Sequence, residues 1–419
     1  MIQKTLGAFL RTDMRYLIQG SFWLSLNKFI SMGIALALSM LYAHYMSKDI
    51  YGSYRYILSM IGMFGVCAIP GMGTAVIRSM ARGSFGAFRT ASTTIFLFSF
   101  GISIACASTA FYFAYKDNDI LAFSFFVASF LVPFSEGLGT WRTYFTATKT
   151  FHKGTFLSSG VQIIYGISMI SMVGVLILFP LPGFLTTGLL VTTYLLAHAI
   201  PNILLTKRVL HAIPKDATHD AGMLPYGFRL SALEIPSTIA TYLDSVILYV
   251  YLGPSALAIY SFALAPVEQL KSLFGTTATV SMPKLAEKTS TKESNEMLRK
   301  TLPRKLFRAS IFTACIIALY ILSAPLLFQI LFPNYMEAVR YTQVFALSMV
   351  LFPLSVFGTA LKAEGNIKKI YIFSIGEPLV QILAIITLVP LYGLWGAIAA
   401  RVGGRLLNMT LQTYLYMKK

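Results

Sequence analysis

The sequence predicts an all-α, polytopic integral membrane protein of about 12 transmembrane helices, on three observations: its composition, its recurring apolar runs and the placement of its charges. Hydrophobic residues make up 56% and charged residues 12% of 419, with a mean hydropathy of +0.69. Runs of roughly 20 residues with few or no charges recur throughout, the length a helix needs to cross a bilayer. In lipid every backbone N–H and C=O must be paired internally, and long continuous apolar runs satisfy this as helices rather than as alternating barrel strands.

Taken in order, the apolar runs are 22–42, 56–77, 92–115, 120–140, 157–180 and 185–205, then 230–252, 257–282, 306–333, 341–361, 370–390 and 394–416. No small-residue cleavage site precedes the first run, which therefore reads as an uncleaved span. Between the two sets of six lies a polar segment with Lys207, Arg208, His211, Lys215, Asp216 and Arg229. Residues 1–205 and 230–419 are thus expected to form two six-helix bundles, joined by an aqueous connector at 206–229.

Charge sets the orientation. With an even number of spans both termini share a side, and 26 of the 34 Lys and Arg fall in segments on that side, against four on the other. Basic loops are retained in the cytoplasm, so both termini are expected there, at the inner membrane. The net charge of +18 is thereby a topology signal facing anionic lipid, which argues against nucleic acid as a partner. Basic residues 283–308 are expected to run along that surface.

The two sixes echo each other. Phe179-Pro180-Leu181-Pro182-Gly183-Phe184 resembles Val389-Pro390-Leu391-Tyr392-Gly393-Leu394, and Phe151-His152-Lys153 resembles Ile367-Lys368-Lys369. Tyr51-Gly52-Ser53-Tyr54 likewise has a counterpart in Ile259-Tyr260-Ser261-Phe262. Six spans per repeat is even, so duplicated halves would run parallel about a pseudo-two-fold axis along the membrane normal.

Polar stripes mark four of the helices. Span one carries Ser21, Ser25, Lys28, Ser31 and Ser39 at helical spacing, and span seven carries Glu234, Ser237, Thr238, Thr241 and Ser245 with Asp244 alongside. Span eight aligns Ser261, Ala265, Glu268, Ser272 and Thr276, with Lys271 a turn from Glu268; span two begins with Arg55 and continues through Ser59. Small polar residues also knit membrane helices together, so the hydroxyls fit packing as well as a water-lined path. Ionisable groups are costlier, roughly 2.5 to 3.5 kcal/mol at mid-membrane, and are retained for a partner or a pathway.

Lys28, Arg55 and Lys271 are the candidate substrate-binding cations, suited to a pyrophosphate. Pairing of Lys271 with Glu268, and snorkelling of Arg55 to headgroups, are the structural alternatives. Asp244, Glu234 and Glu268 are the candidate ion-coupling carboxylates for a proton or sodium, with helix pairing as the alternative. Arg401, Arg405, Asn408 and Gln412 form a further stripe on span twelve, expected to pair with Glu377 on span eleven. Pro236, next to Glu234, marks span seven as a bending element.

Enzyme classes find little purchase. There is no Gly-Lys-Thr phosphate loop, the five histidines lack metal-ligand spacing, and Cys67, Cys106 and Cys315 all lie in apolar runs. No cofactor is expected. The outer loops are too short to carry the chemistry of a polymerase or ligase.

The chain resembles the polysaccharide repeat-unit flippases (Wzx type) of the multidrug/oligosaccharidyl-lipid/polysaccharide exporter superfamily. The likeness covers nearly the whole chain and rests on the two sixes, the Ser47-Lys48-Asp49-Ile50-Tyr51-Gly52-Ser53-Tyr54 loop, Leu252-Gly253-Pro254 through Tyr260-Ser261, Pro283-Lys284-Leu285, Ala363-Glu364-Gly365-Asn366, and Pro390-Leu391-Tyr392-Gly393-Leu394-Trp395-Gly396. It implies two bundles around a central cavity that opens alternately to either side. The implied substrate is an undecaprenyl-pyrophosphate-linked oligosaccharide, moved from inner to outer leaflet, with a polymerase and glycosyltransferases as associated partners. Drug exporters of the same fold are the nearest alternative, but span one carries Asn27 and Lys28 where such relatives use an acid.

Overall fold

The computed structural model describes the backbone of residues 14–214, 217–288, 292–364 and 367–418, all helix, turn or irregular chain with no strand among them. In chain order the helices are α1 (Met14–Tyr45), α2 (Lys48–Phe64), α3 (Met72–Ala81), α4 (Gly86–Tyr115), α5 (Asp119–Ser135), α6 (Trp141–Ala147), α7 (Phe151–Leu178) and α8 (Gly183–Ala212). After the connector come α9 (Met223–Lys288), α10 (Lys292–Leu331), α11 (Ala338–Leu347), α12 (Val356–Glu364) and α13 (Ile367–Met417). Among the described residues seven helices are long and apolar enough to cross a membrane, or nine if the bent pairs α2/α3 and α11/α12 each count as one span. Their outward faces show Phe111, Leu178, Leu322 and Leu383 bare of protein, the surface acyl chains would cover. This is a multi-pass membrane protein.

Many hydroxyls within the spans are satisfied by their own helix. Thr109 donates to the Ala105 carbonyl at 2.8 Å, Thr192 to Gly188 at 2.7 Å and Thr387 to Leu383 at 2.9 Å. With no water in the hydrocarbon, this back-bonding one turn up lets a polar side chain sit in a lipid-embedded helix.

Two of the longest helices are folded back on themselves. In α9 the non-helical residue is Gly253 (φ 82, ψ 179), in the gap between the apolar runs 230–252 and 257–282, while Pro236 keeps helical backbone. Asp244 and Tyr260 would stand about 24 Å apart on a straight helix, yet the tyrosine hydroxyl donates to that carboxylate. In α13 the break is Gly393 (φ 57, ψ −131), and Gly404 returns to within contact of Gln381. Glycine serves at both because the positive φ strains any side chain. A proline does mark the α2/α3 bend of 48°, where Ile69 at φ 53 precedes Pro70.

The connector is shorter than its polar sequence suggests. Helix α8 continues to Ala212 and α9 starts at Met223, and residues 217–220 between them are bonded to the N-terminal half. Gly86 N donates to the Thr218 carbonyl at 3.0 Å, and Ser79 donates to Asp220. That hydroxyl holds the Asp220 carboxyl below its ordinary range. A depressed carboxylate stabilises the fold above its unfolded pKa and loses this as pH falls through the folded one, so the tether persists at neutral pH. Residues 283–308, expected as a surface loop, are helical on both sides of 289–291; Lys4, Arg11, Lys215, Asp216 and the side chains of 283–296 lie outside the described residues.

The main core runs through both halves, with Ile57, Phe125, Leu190, Leu248, Phe262 and Phe328 among its fully or almost fully buried members. A smaller core beneath α3, α4 and α6 is centred on Trp141, whose indole N–H donates to Asn202 Oδ1 at 2.8 Å. Asn202 Nδ2 in turn donates to the Ser135 carbonyl at 2.7 Å, where α5 ends. Asn202→Leu strands both the indole N–H and that carbonyl at about 1–3 kcal/mol each, so it is expected to lower the thermal unfolding midpoint in detergent by several degrees; an unchanged midpoint would show that the pair carries no such weight.

Candidate functional site

The halves meet at one end in a layer built from the echoed segments. A Cβ on Gly52 would lie 1.9 Å from the Pro254 carbonyl oxygen, so helix α2 touches the α9 turn backbone to backbone. Ser255 donates to Asp49 at 2.8 Å, Lys48 pairs with Glu337 at 3.1 Å, and the Tyr51 and Phe262 rings lie 4.9 Å apart. Tyr56 stacks on Tyr249 with centroids at 4.0 Å.

Behind this layer lies a cavity of about 820 Å³ lined by α1, α2, α7, α8, α9 and α13. Ser31 and Ser39 of span one, Arg55 and Ser59 of span two, Ser237, Thr241 and Ser245 of span seven, and Ser261, Glu268 and Lys271 of span eight all line it. The polar stripes therefore face a common space. Ser237 and Thr241 donate to carbonyls of their own helix at 2.9 and 2.7 Å, so they line a cavity rather than bond across helices.

Charge in the cavity is concentrated on one wall. Asp244 is fully buried and accepts from Arg401 Nε, from the Tyr260 hydroxyl and from the Ser245 N–H at 2.7 Å. Arg401 extends Nη1 to Glu268 at 3.2 Å and Nη2 to the Thr241 carbonyl at 2.8 Å. Arg405 also donates to Glu268, lies 4.2 Å over the Phe345 ring and reaches Ser348 Oγ at 3.1 Å. Lys271 Nζ stands 3.4 Å from the other Glu268 oxygen. Three cations thus share two carboxylates, leaving a surplus of one positive charge.

This arrangement corrects the expected pairing of Arg401 and Arg405 with Glu377. Their partners are Asp244 and Glu268, because the fold-back at Gly393 turns both arginines toward α9. Glu377 lines the same cavity without an ion-pair partner within 4 Å among the described residues. Arg55 does not snorkel: it faces the cavity, its buried Nε has no hydrogen-bond partner, and no carboxylate lies within 4 Å among the described residues. Lys28 is not among the lining residues and donates to the Ser272 carbonyl at 2.9 Å, joining α1 to α9. Glu234 is half-buried and also outside the lining. Sequence reasoning passed over Tyr42, Tyr51, Tyr54, Tyr165 and Tyr194, which line the cavity from four helices; in an aromatic-rich membrane sequence nothing distinguishes them from packing residues.

The family profile described as "Polysaccharide biosynthesis protein" matches residues 17–289. The chain belongs to that family. Among solved structures, the chain is similar to the lipid II flippase MurJ in an inward closed conformation, at TM-score 0.65 and 15% identity over 93% of this chain and 86% of that one. It is also similar to an inward-facing multidrug resistance MATE family transporter of the MOP superfamily, at TM-score 0.60 and 13% identity over 92% and 93% of the two chains. A MOP superfamily transporter from Pyrococcus furiosus, described as having a binding pocket of reversed polarity, matches at TM-score 0.58 and 13% identity over 96% of each chain. At these identities the likeness establishes a shared fold. No curated protein sequence matches the chain significantly.

Removing one partner of a buried ion pair strands the other at about 3–5 kcal/mol. Arg401→Gln is therefore expected to destabilise the protein severely in detergent unfolding, and the double change Asp244→Asn with Arg401→Gln to recover most of the loss. Additive effects of the two changes would show that they are not coupled.

Proposed function

We propose that the protein is a flippase that carries a polyprenyl-pyrophosphate-linked oligosaccharide from the inner to the outer leaflet by alternating access. The observation that carries this reading is Arg55, a cation without an acidic partner among the described residues, facing a cavity that is also lined by Lys271, Arg401 and Arg405 and by the carboxylates of Glu268 and Glu377. A pyrophosphate needs desolvated cations at close range, and an organic cation would be repelled. Membership of a polysaccharide biosynthesis family, and a fold shared with a lipid II flippase, support the same substrate class.

In this reading the nine membrane-length helices become twelve spans once the arms on either side of Gly253 and Gly393 count separately and the shorter α5 is added. Residues 1–205 and 230–419 are the two bundles, both termini are cytoplasmic, and the Gly52–Pro254 layer closes the outer end. Lys271 joins Arg55 in holding the diphosphate, while Lys28 braces α1 against α9. Tyr42, Tyr54 and Tyr165 offer rings and hydroxyls to the sugars. A proton or sodium gradient resets the empty carrier. Asp244 and Glu268 are held by arginines, so Glu234 and Glu377 are the carboxylates left to take the ion. The alternative, a cation-coupled multidrug exporter, would need Asp244 or Glu268 free for its substrate.

Deleting the gene in its host should abolish surface polysaccharide and strand complete lipid-linked repeat units on the cytoplasmic leaflet. Unchanged polymer with new sensitivity to cationic dyes would instead establish the exporter. In the complemented strain, Arg55→Glu is expected to cut export at least about tenfold, a loss of two or more charge-assisted contacts, while Arg55→Lys retains part of it. Wild-type export by Arg55→Glu would remove that residue from the mechanism.

A further inference from the structure

A second pocket, of about 430 Å³, lies away from the central cavity, where the start of α4 and the segment joining α5 to α6 meet the end of α8. Its polar lining includes Arg89, Lys207 and His211, its apolar lining includes Leu138, Ile203 and Leu210, and no carboxylate is among its lining residues. Arg89 is fixed in place: its Nη2 donates to the Leu210 carbonyl at 3.0 Å and to Ile213 at 3.1 Å. These are the last carbonyls of α8, the partly negative end of the helix that would otherwise repel an anion. Covered by a guanidinium, that end presents positive charge instead. His211 is held as well, with Nδ1 at 2.8 Å from the Lys207 carbonyl.

The register of α8 says what kind of anion fits. Leu196, Ile200, Ile203, Lys207 and His211 follow one another in steps of three and four, so they lie on one face of the helix. Leu196, Ile200 and Ile203 are exposed, 38%, 54% and 38% respectively, on a helix long and apolar enough to cross a membrane. The same face then turns basic within a single helical turn. An apolar track leading into a cationic pocket at the level where a span leaves the membrane has the form of a phospholipid: acyl chain along the track, phosphate in the pocket.

We infer that this pocket is a binding site for an anionic glycerophospholipid, with Lys207 and His211 holding the headgroup phosphate beside Arg89 and an acyl chain lying over Ile203 and Ile200. The site is independent of the translocated substrate. Bound there, the lipid bridges α4 and α8 next to the connector and fastens that corner of the N-terminal half to its own leaflet.

The test uses the purified full chain in a neutral detergent, titrated with short-chain phosphatidylglycerol, with phosphatidylcholine of the same chain length, and with inorganic phosphate. Phosphatidylglycerol should raise the thermal midpoint in a saturable manner, and the other two should not. The double variant Lys207→Gln with His211→Gln should weaken apparent affinity about tenfold, as expected for the loss of up to two basic contacts with an anionic headgroup. Two controls guard against a general charge or folding effect. Arg208→Gln removes a basic residue off this face and should leave binding intact, and Lys207→Arg should also retain it. Equal stabilisation of wild type and double variant would overturn the assignment of the site, and inorganic phosphate matching phosphatidylglycerol would overturn the assignment to lipid.

Discussion

Asp244 is a carboxylate with no exposed surface in a membrane-embedded helix, and much of the surrounding architecture exists to keep it satisfied. Its partners come from three directions. Ser245 is on the same arm of α9, Tyr260 is on the arm beyond Gly253, and Arg401 is on the arm of α13 beyond Gly393. The carboxylate can be fully bonded only if both long helices have turned back. Glu268 extends the constraint, since it sits between Arg401, Arg405 and Lys271 and fixes the facing wall of the cavity. Two fold-backs and one ion network are therefore a single structural unit.

That unit divides the labour between the two walls of the cavity. On the α9 and α13 wall the cations are largely spent on internal carboxylates, so their positions are set by the protein whether or not anything is bound. Across the cavity Arg55 has no carboxylate within 4 Å among the described residues, and its buried Nε has no hydrogen-bond partner there.

Much of this was legible in the residues because bilayer physics leaves few solutions. Apolar length announced membrane-length helices, and polar residues at helical spacing on 31–39, 237–245 and 261–268 announced faces that turned out to line the cavity. The ion pairs were harder to read. Glu377 is on the neighbouring run and looked the natural partner for Arg401, but partner choice depends on which way a helix faces after Gly393, and sequence separation does not encode rotation. The lining tyrosines were illegible for a different reason: a ring against a cavity and a ring against a neighbouring helix leave the same mark in a chain with 23 tyrosines. The reversal of α9, by contrast, falls in the gap between the apolar runs 230–252 and 257–282, at Gly253, whose positive φ produces it.

The single-glycine reversals also govern how the molecule meets its surroundings. A chain that turns at Gly253 and again at Gly393 spends almost no sequence on loops at those points. A protease reaching that end of the molecule would find helix ends and little flexible chain to grip. The same economy limits the experimenter: an epitope or fluorescent protein inserted at either turn has no slack to absorb it and would pry apart the arms that hold Asp244.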